Sequence, residues 1–212
     1  MELSDLQTMP RAAELAALPD RLRLPFVFDA AALQADLAGL AGLAGLDWTM
    51  HFVPQHFTGE WDVLPLRAPR GAVHPILQIA PNAGVRDWDD TPLLARMPSV
   101  RAVLALFACP IGAVRLMRLA PGSEIRRHRD DDLSPEFGAA RVHVPIVTSA
   151  GVDFRLNDAP VSMAPGECWY LRLADPHSVI NRGLAARVHL VIDLEVDPWL
   201  ADLLLAAAAA TD

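Results

Sequence analysis

Two histidines and one aspartate have the spacing of a metal-binding site. The segment RLAPGSEIRRHRDDD places His128 and Asp130 two positions apart, and residues i and i+2 of a strand project from the same face. A third ligand is available from His177, in the later segment DPHSVIN. Two imidazoles and one carboxylate on one side of a metal leave its other positions open, an arrangement typical of non-haem Fe(II) oxygenases. The three residues are therefore predicted to hold a catalytic metal.

A purely structural interpretation of the same residues is also available. The three aspartates at 130–132 are typical of a solvated loop, and His177 follows Pro176 as a turn residue would. An HxD pair by itself is a weak signal, because short polar motifs arise by chance. The metal interpretation is favoured because arginines and a further histidine accompany the triad along the chain.

The remaining histidines are weaker candidates for metal ligands. Three of them precede the predicted core strands and have no carboxylate two positions later: His51, His56 and His74. His189 is a stronger competitor, because it lies two residues beyond Arg187 on the same strand face. We expect His189 to line the cavity or the core, since a ligand there would leave His177 without a role.

Two arginines lie on strand faces that point toward the predicted metal. Alternation in ARVHVPIV sends Arg141 and His143 to one side, and alternation in ARVHLVIDL does the same for Arg187. A guanidinium binds a carboxylate through two parallel charge-assisted hydrogen bonds, and an unpaired buried charge costs several kcal/mol. These residues therefore predict an acidic ligand. The alternative is a buried ion pair of Arg187 with Asp193 or Asp153, which would explain Arg187 but not His143.

The elements that must position these residues are mostly short strands. Runs of Val, Ile, Leu and aromatic residues, broken by Pro, Gly, Asn and Asp, predict a mainly β fold, a double-stranded β-helix of the jelly-roll or cupin-like kind, with supporting N- and C-terminal helices. We expect one domain, with helical support at 1–46, the β core at 47–197 and a C-terminal helix at 198–212. Candidate strands are 49–53, 62–67, 76–79, 113–119, 124–128, 141–147, 152–156, 167–171, 177–181 and 187–195.

Three further segments are assigned outside this run of strands. Asp29 is a predicted N-cap for a helix at 30–46, and alternating apolar residues at 22–28 predict a short strand before it. A helical insert at 91–107 is expected to divide at Pro98.

Composition excludes several classes of partner and location. The formal net charge of −8 disfavours a broad nucleic-acid surface or an anionic membrane, because both would repel the chain. The N-terminal segment lacks the basic start and unbroken apolar run of a secretory signal. Cys109 and Cys168 show no CxxC pattern and are expected to be reduced, buried thiols. We expect a cytoplasmic protein that does not span a membrane.

With these residues in hand, the chain resembles the aspartyl/asparaginyl β-hydroxylase family, whose bacterial members include free-proline hydroxylases. The likeness is densest over RLAPGSEIRRHRDD, RVHVPI, GECWYL, HSVIN and RVHLVIDLEVDPW. It implies a double-stranded β-helix that uses Fe(II), 2-oxoglutarate and O2 and releases succinate and carbon dioxide. In this family His128 and His177 resemble the iron-binding histidines. Asp130 matches the carboxylate of the proline-hydroxylating branch.

The resemblance also implies roles for the basic residues. Arg187 resembles the arginine that binds the distal carboxylate of 2-oxoglutarate, and Arg141 with His143 resembles the pair that steadies its iron-side carboxylate. The expected substrate is an amino acid, an Asp or Asn residue of a peptide, or a small metabolite. Two residues of HFVPQHFTGEWDVLPLRAPRG are candidates to contact it, Trp61 as an apolar wall and Arg67 as a carboxylate anchor. Trp61 is equally consistent with a core residue.

Two other functions remain open on the sequence. One is a cupin-type metalloenzyme that does not use 2-oxoglutarate, and the other is a ligand-sensing barrel without catalysis. The two arginines argue against the first, because such an enzyme does not need two carboxylate-binding groups. The complete set of three metal ligands argues against the second.

Overall fold

Two antiparallel sheets form the protein in the computed structural model, which describes residues 11–41, 43, 47–80, 84–131 and 133–210. The strands of these residues are β1 (Arg21–Val27), β2 (Thr49–Met50), β3 (Phe57–Thr58), β4 (Trp61–Pro69), β5 (Trp88–Asp90), β6 (Ile111–Leu119), β7 (Glu124–His128), β8 (Ala139–Val147), β9 (Val152–Leu156), β10 (Ala159–Pro160), β11 (Glu167–Leu171), β12 (His177–Asn181) and β13 (Arg187–Glu195). The larger sheet has the order β1-β11-β8-β13-β6-β4-β2, with β5 on β4. The smaller sheet has the order β10-β9-β12-β7-β3. The predicted mainly β fold is confirmed.

The helices of the described residues lie outside the two sheets or at their edges. The α-helices among them are α1 (Ala12–Ala16), α2 (Ala30–Leu40), α3 (Pro75–Ile79), α4 (Pro98–Leu104) and α5 (Pro198–Ala209). None of them is long and apolar enough to cross a membrane. The Asp29 side chain accepts a hydrogen bond from the Ala32 N–H, which confirms the predicted N-cap. The helix ends at Leu40 because Ala41 is extended, earlier than the predicted end, and residues 42 and 44–46 lie outside the described residues.

Two of the predicted strands need correction. Residues 76–79 belong to helix α3, because Pro75 occupies its first turn and the His74 side chain accepts a hydrogen bond from the Ile76 N–H. A run of four apolar residues does not by its period distinguish a strand from a short helix. The strand predicted at 49–53 is reduced to Thr49–Met50.

Two apolar clusters fix where a site can form. The first cluster, which includes Val142 and Leu190, lies between one face of the large sheet and helices α2, α4 and α5. The second, which includes Ile125, Phe154 and Val191, lies between the two sheets. Because side chains alternate along a strand, the residues of β8 and β13 that do not face the helices point into the space between the sheets. That space contains the predicted metal and cosubstrate residues.

The N-terminal region contributes a strand as well as helices. The strand predicted near 22–28 is present as β1, and it pairs antiparallel with β11 at the edge of the large sheet. Sheet residues therefore begin before position 47, where the β core was expected to start. The division of 1–212 into one domain with helical support stays a prediction.

Asp36 on α2 caps a neighbouring helix and gives a test of the packing outside the sheets. Its buried carboxylate accepts hydrogen bonds from the backbone N–H groups of Ser99 and Val100, at 2.7 and 3.3 Å, at the start of α4. We expect Asp36→Ala to lower the free energy of unfolding by about 1–2 kcal/mol, as the loss of a helix cap does. Urea denaturation measures this change. Asp36→Asn keeps an acceptor oxygen and should lose less, and equal losses in the two variants would contradict the capping role.

Candidate active site

Neighbouring strands of the small sheet bring the two predicted histidine ligands together. β7 and β12 pair antiparallel, and His128 lies directly opposite His177 in their register. The centroids of the two imidazole rings are 4.2 Å apart. His177 is 6% exposed and packs parallel to the Phe154 ring of β9. Cross-strand pairing therefore places two potential ligands side by side on the inner face of the sheet.

A β-bulge decides which way His128 points. His177 pairs with His128 and Val179 pairs with Ile125, so three steps along β7 correspond to two steps along β12. In a regular strand His128 and Ile125 would face opposite sides of the sheet. The additional residue reverses the alternation, and both side chains line the same cavity.

Asp130 completes the set from just beyond the end of β7. Its backbone N–H donates a hydrogen bond of 2.9 Å to the Leu173 carbonyl, which holds the chain after the strand. One carboxylate oxygen of Asp130 lies 3.7 Å from Nε2 of His128. One ligand atom from each of His128, Asp130 and His177 lies within 4.8 Å of those of the other two. The structure thus brings the three predicted ligands to one point.

The hydrogen bonds of both imidazoles leave their metal-binding nitrogens available. Nδ1 of His128 lies 2.7 Å from the Arg126 carbonyl, and Nδ1 of His177 lies 3.0 Å from the Asp175 carbonyl. A carbonyl only accepts, so each Nδ1 carries the proton and each Nε2 keeps its lone pair. Burial, together with the neighbouring His128, lowers the pKa of His177 to about 4. The imidazole is therefore neutral near pH 7, as a metal ligand must be.

Arg141 is paired with carboxylates on both sides. Its guanidinium donates two hydrogen bonds to Asp193, at 2.5 and 3.0 Å, and one of 2.8 Å to Asp130. Arg115 on β6 donates a further one of 3.0 Å to Asp193. Burial alone would raise the pKa of Asp193, but the charges of Arg141 and Arg115 outweigh it and lower that pKa to about 2. The ion pair foreseen for Arg187 thus belongs to Arg141, which also orients a predicted metal ligand.

Arg187 is a buried cation without a carboxylate partner in the described part of the chain. It is 2% exposed and lines the cavity, and Asp153, its other foreseen partner, pairs with Arg155 and Arg182 instead. Nη2 of Arg187 donates a 2.8 Å hydrogen bond to His189, whereas Nε has no partner among the described residues. Burial lowers the pKa of Arg187 to about 9, which leaves it charged at neutral pH. Such a group fits the carboxylate of a bound ligand.

His143 lies in the same part of the cavity as Arg187. It is 5% exposed, and its Nε2 is buried without a hydrogen-bond partner in the described residues. Burial and then the charge of Arg187 lower the pKa of His143 well below its usual value. Two orphaned polar groups at one end of a cavity indicate that a polar ligand belongs there.

The cavity between the sheets has a volume of about 660 Å³ and contains all six predicted metal and cosubstrate residues in its lining. Trp61 also lines it, stacked on His51 with ring centroids 3.6 Å apart, so it is both a wall of the cavity and a buried residue. Arg67 is elsewhere. Its guanidinium donates to the Ile111 and Trp88 carbonyls and pairs with Asp90, so it does not reach the cavity as an anchor would.

Arg115 was not predicted as a site residue, although it had a recognisable signal. It stands in the middle of the apolar strand GAVRLMRL, where a charged residue is unfavourable unless it has a partner. The structure places it 2% exposed in the cavity lining, with Nε lacking a partner among the described residues. Arg115 is therefore a further cation of the cavity lining, whereas Arg67, which was predicted to contact the substrate, is not part of that lining.

Comparison with known proteins gives the family. The sequence profile described as Aspartyl/Asparaginyl beta-hydroxylase matches residues 51–196. The chain belongs to the aspartyl/asparaginyl β-hydroxylase family. The predicted resemblance is thereby confirmed. The matched residues of this hydroxylase-family chain include the three clustered ligands, and also Arg115 and Arg187, whose Nε atoms have no partner among the described residues.

The individual relatives of this family member have low sequence identity to it. An L-proline cis-4-hydroxylase of Rhizobium meliloti (strain 1021) is 28% identical over 171 residues, which are 79% of this chain. The chain spans 58% of that relative's length. Among solved structures, a 2OG-Fe(II) oxygenase family oxidoreductase from Burkholderia pseudomallei has a TM-score of 0.55 at 19% identity and covers 92% of this chain and 91% of its own. A non-heme monooxygenase solved as a ThoJ-Ni complex has a TM-score of 0.50 at 17% identity, and the match covers 87% of this chain and 77% of that one. Both share the fold.

Proposed function

We propose that this chain is a hydroxylase that uses Fe(II), 2-oxoglutarate and O2 to hydroxylate a C–H bond of an amino acid or of an Asp/Asn-type residue in a peptide. The observation that carries the proposal is a cavity holding a His-Asp-His cluster and a buried arginine without a carboxylate partner among the described residues. The cluster fits a metal with open positions, and the arginine fits an acidic cosubstrate. Membership of the hydroxylase family supports the same conclusion.

The roles of the residues follow from their contacts. His128, Asp130 and His177 hold the iron, and Arg141 fixes the Asp130 carboxylate. Arg187 binds the distal carboxylate of 2-oxoglutarate, and His143 contacts the same ligand near the metal. When bound, iron and 2-oxoglutarate with O2 supply oxidising chemistry that adds a hydroxyl group and releases succinate and carbon dioxide. The protein contributes placement and a cavity that excludes water.

Arg115 is the group we assign to the substrate. Its Nε has no partner among the described residues, and it shares the Asp193 carboxylate with Arg141, whereas Arg187 has no carboxylate partner in the described chain. A free amino acid has a carboxylate that this guanidinium can bind. The proline hydroxylase relative makes L-proline the first substrate to test. Activity in the cytoplasm remains part of this proposal.

Replacing Arg115 tests that assignment. We expect Arg115→Met to raise the KM for a carboxylate-bearing substrate about ten- to a hundredfold, the value of a hydrogen bond to a charged group. Affinity for 2-oxoglutarate should not change, because Arg187 remains. Arg67→Met is the matched control and should leave both constants unaltered. A variant of Arg115 that loses 2-oxoglutarate binding instead would contradict the division of roles.

The activity itself is measured by succinate release. Purified protein is incubated with Fe(II), ascorbate and 2-oxoglutarate, with L-proline, other free amino acids or Asp- and Asn-containing peptides. Substrate-stimulated succinate, with a product heavier by one oxygen atom in mass spectrometry, supports the proposal. Metal-dependent turnover that does not need 2-oxoglutarate would indicate a cupin-type enzyme, and 2-oxoglutarate binding without turnover on any substrate would indicate a ligand-sensing barrel.

A further inference from the structure

His189 is the one residue of the described chain to which the Arg187 side chain makes a hydrogen bond. The two lie two positions apart on β13, so their side chains share one face of the strand. His189 is 1% exposed and does not belong to the cavity lining, whereas Arg187 does. His189 is therefore a buried neighbour of Arg187 outside the cavity lining.

The chemistry of the two groups fixes the direction of their hydrogen bond. Nη2 of Arg187 is 2.8 Å from Nδ1 of His189, and a guanidinium has only donors. Nδ1 of His189 must accept, so the neutral ring carries its proton on Nε2. Burial and then the charge of Arg187 lower the pKa of His189 well below its usual value, which keeps this lone pair available. Nδ1 of His143 is 3.4 Å from the same nitrogen, beyond the usual range of a strong hydrogen bond.

We propose that His189 is a positioning residue, whose Nδ1 lone pair holds the Arg187 guanidinium in the orientation that receives the distal carboxylate of 2-oxoglutarate. Arg187 has no carboxylate of the described chain to hold it, so among the described residues its hydrogen bond to His189 is the one that orients the guanidinium. The bond to His189 uses one donor and leaves others, including Nε without a partner in the described residues, available to the ligand. This inference rests on the proposed function, since it concerns the same cosubstrate.

Two variants of His189 separate an acceptor from a space-filling group. His189→Asn offers Oδ1 near the position of the imidazole Nδ1, whereas His189→Leu fills the volume without an acceptor. Affinity is measured by calorimetry, titrating 2-oxoglutarate into protein loaded with Mn(II) in place of iron, without turnover. We expect His189→Leu to weaken binding about ten- to a hundredfold and His189→Asn by no more than a few-fold.

A double-mutant cycle distinguishes positioning from packing. If His189 acts through Arg187, His189→Leu has no further effect on 2-oxoglutarate affinity in an Arg187→Met background. Additive losses, or equal losses in the Asn and Leu variants, would overturn the inference. Mn(II) affinity and thermal unfolding confirm that each variant is folded and that its metal site is intact.

The same titrations distinguish a failure of the proposed function from a failure of the role of His189. Wild-type protein that binds Mn(II) but not 2-oxoglutarate would contradict the proposed function. If wild-type protein binds 2-oxoglutarate and His189→Leu binds it equally tightly, only the role of His189 is contradicted.

Discussion

Replacing His128 with alanine is expected to weaken metal binding severely while the fold remains. One of three ligands is lost, and structural metal sites with four ligands contribute about 10–16 kcal/mol, or roughly 3 kcal/mol per ligand. The affinity for Mn(II) or Fe(II) should therefore fall at least about a hundredfold. Calorimetric titration measures the affinity, and turnover should fall to the level of the metal-free protein.

His74 provides a matched control for this experiment. It is exposed at the N-terminus of α3 and is not among the residues that line the cavity. His74→Ala should leave metal affinity unchanged, although it removes an N-cap and slightly lowers stability. Wild-type metal affinity in His128→Ala would show that the metal binds elsewhere.

Replacing Arg187 with methionine is expected to weaken 2-oxoglutarate binding strongly without destabilising the apoprotein. Truncating one partner of a buried, hydrogen-bonded charge pair costs about 2–5 kcal/mol, so the Kd should rise about thirty- to several-thousandfold. In the apoprotein Arg187 has no carboxylate partner in the described chain, so an apolar side chain of similar length removes an uncompensated charge. The free energy of unfolding should stay the same or increase.

These opposite changes are what distinguish a ligand-binding arginine from a structural one. Arg141→Met is the comparison, because it breaks bonds to Asp193 and Asp130 and should destabilise the protein. Urea denaturation of both variants without ligand gives the two stabilities. A clear loss of stability in Arg187→Met would mean that Arg187 holds the fold rather than a cosubstrate.

Much of the β framework was predictable because the signals are local. Alternating apolar residues bounded by turn residues gave the observed limits of β7, β9, β11, β12 and β13. Residues 76–79 were assigned wrongly because the helix start is set by Pro75 and His74, not by the apolar run itself. Four apolar residues are too few to show a period.

The metal cluster was predictable for a reason that is only partly correct. Alternation placed His128 and Asp130 on one face, but β7 ends at His128 and Asp130 is held by the Leu173 carbonyl. The bulge in β7, which turns His128 inward, left no trace in the sequence, because it depends on pairing with the distant strand β12.

The partners of the arginines could not be assigned without the sheet register. Asp193 faces Arg141 across β13 and β8, whereas Arg187 starts β13 opposite Leu119. The sequence shows that a buried arginine needs an anion, but the register between strands decides which arginine receives the internal one. The cation left without a carboxylate in the described chain is consequently the informative residue.

The most direct test of this account is a crystal structure of the protein grown without oxygen in the presence of Fe(II) and 2-oxoglutarate. We predict iron bound to Nε2 of His128, Nε2 of His177 and the carboxylate of Asp130, with the distal carboxylate of 2-oxoglutarate on Arg187. Iron at another site, or 2-oxoglutarate held by Arg115 with Arg187 unoccupied, would contradict it.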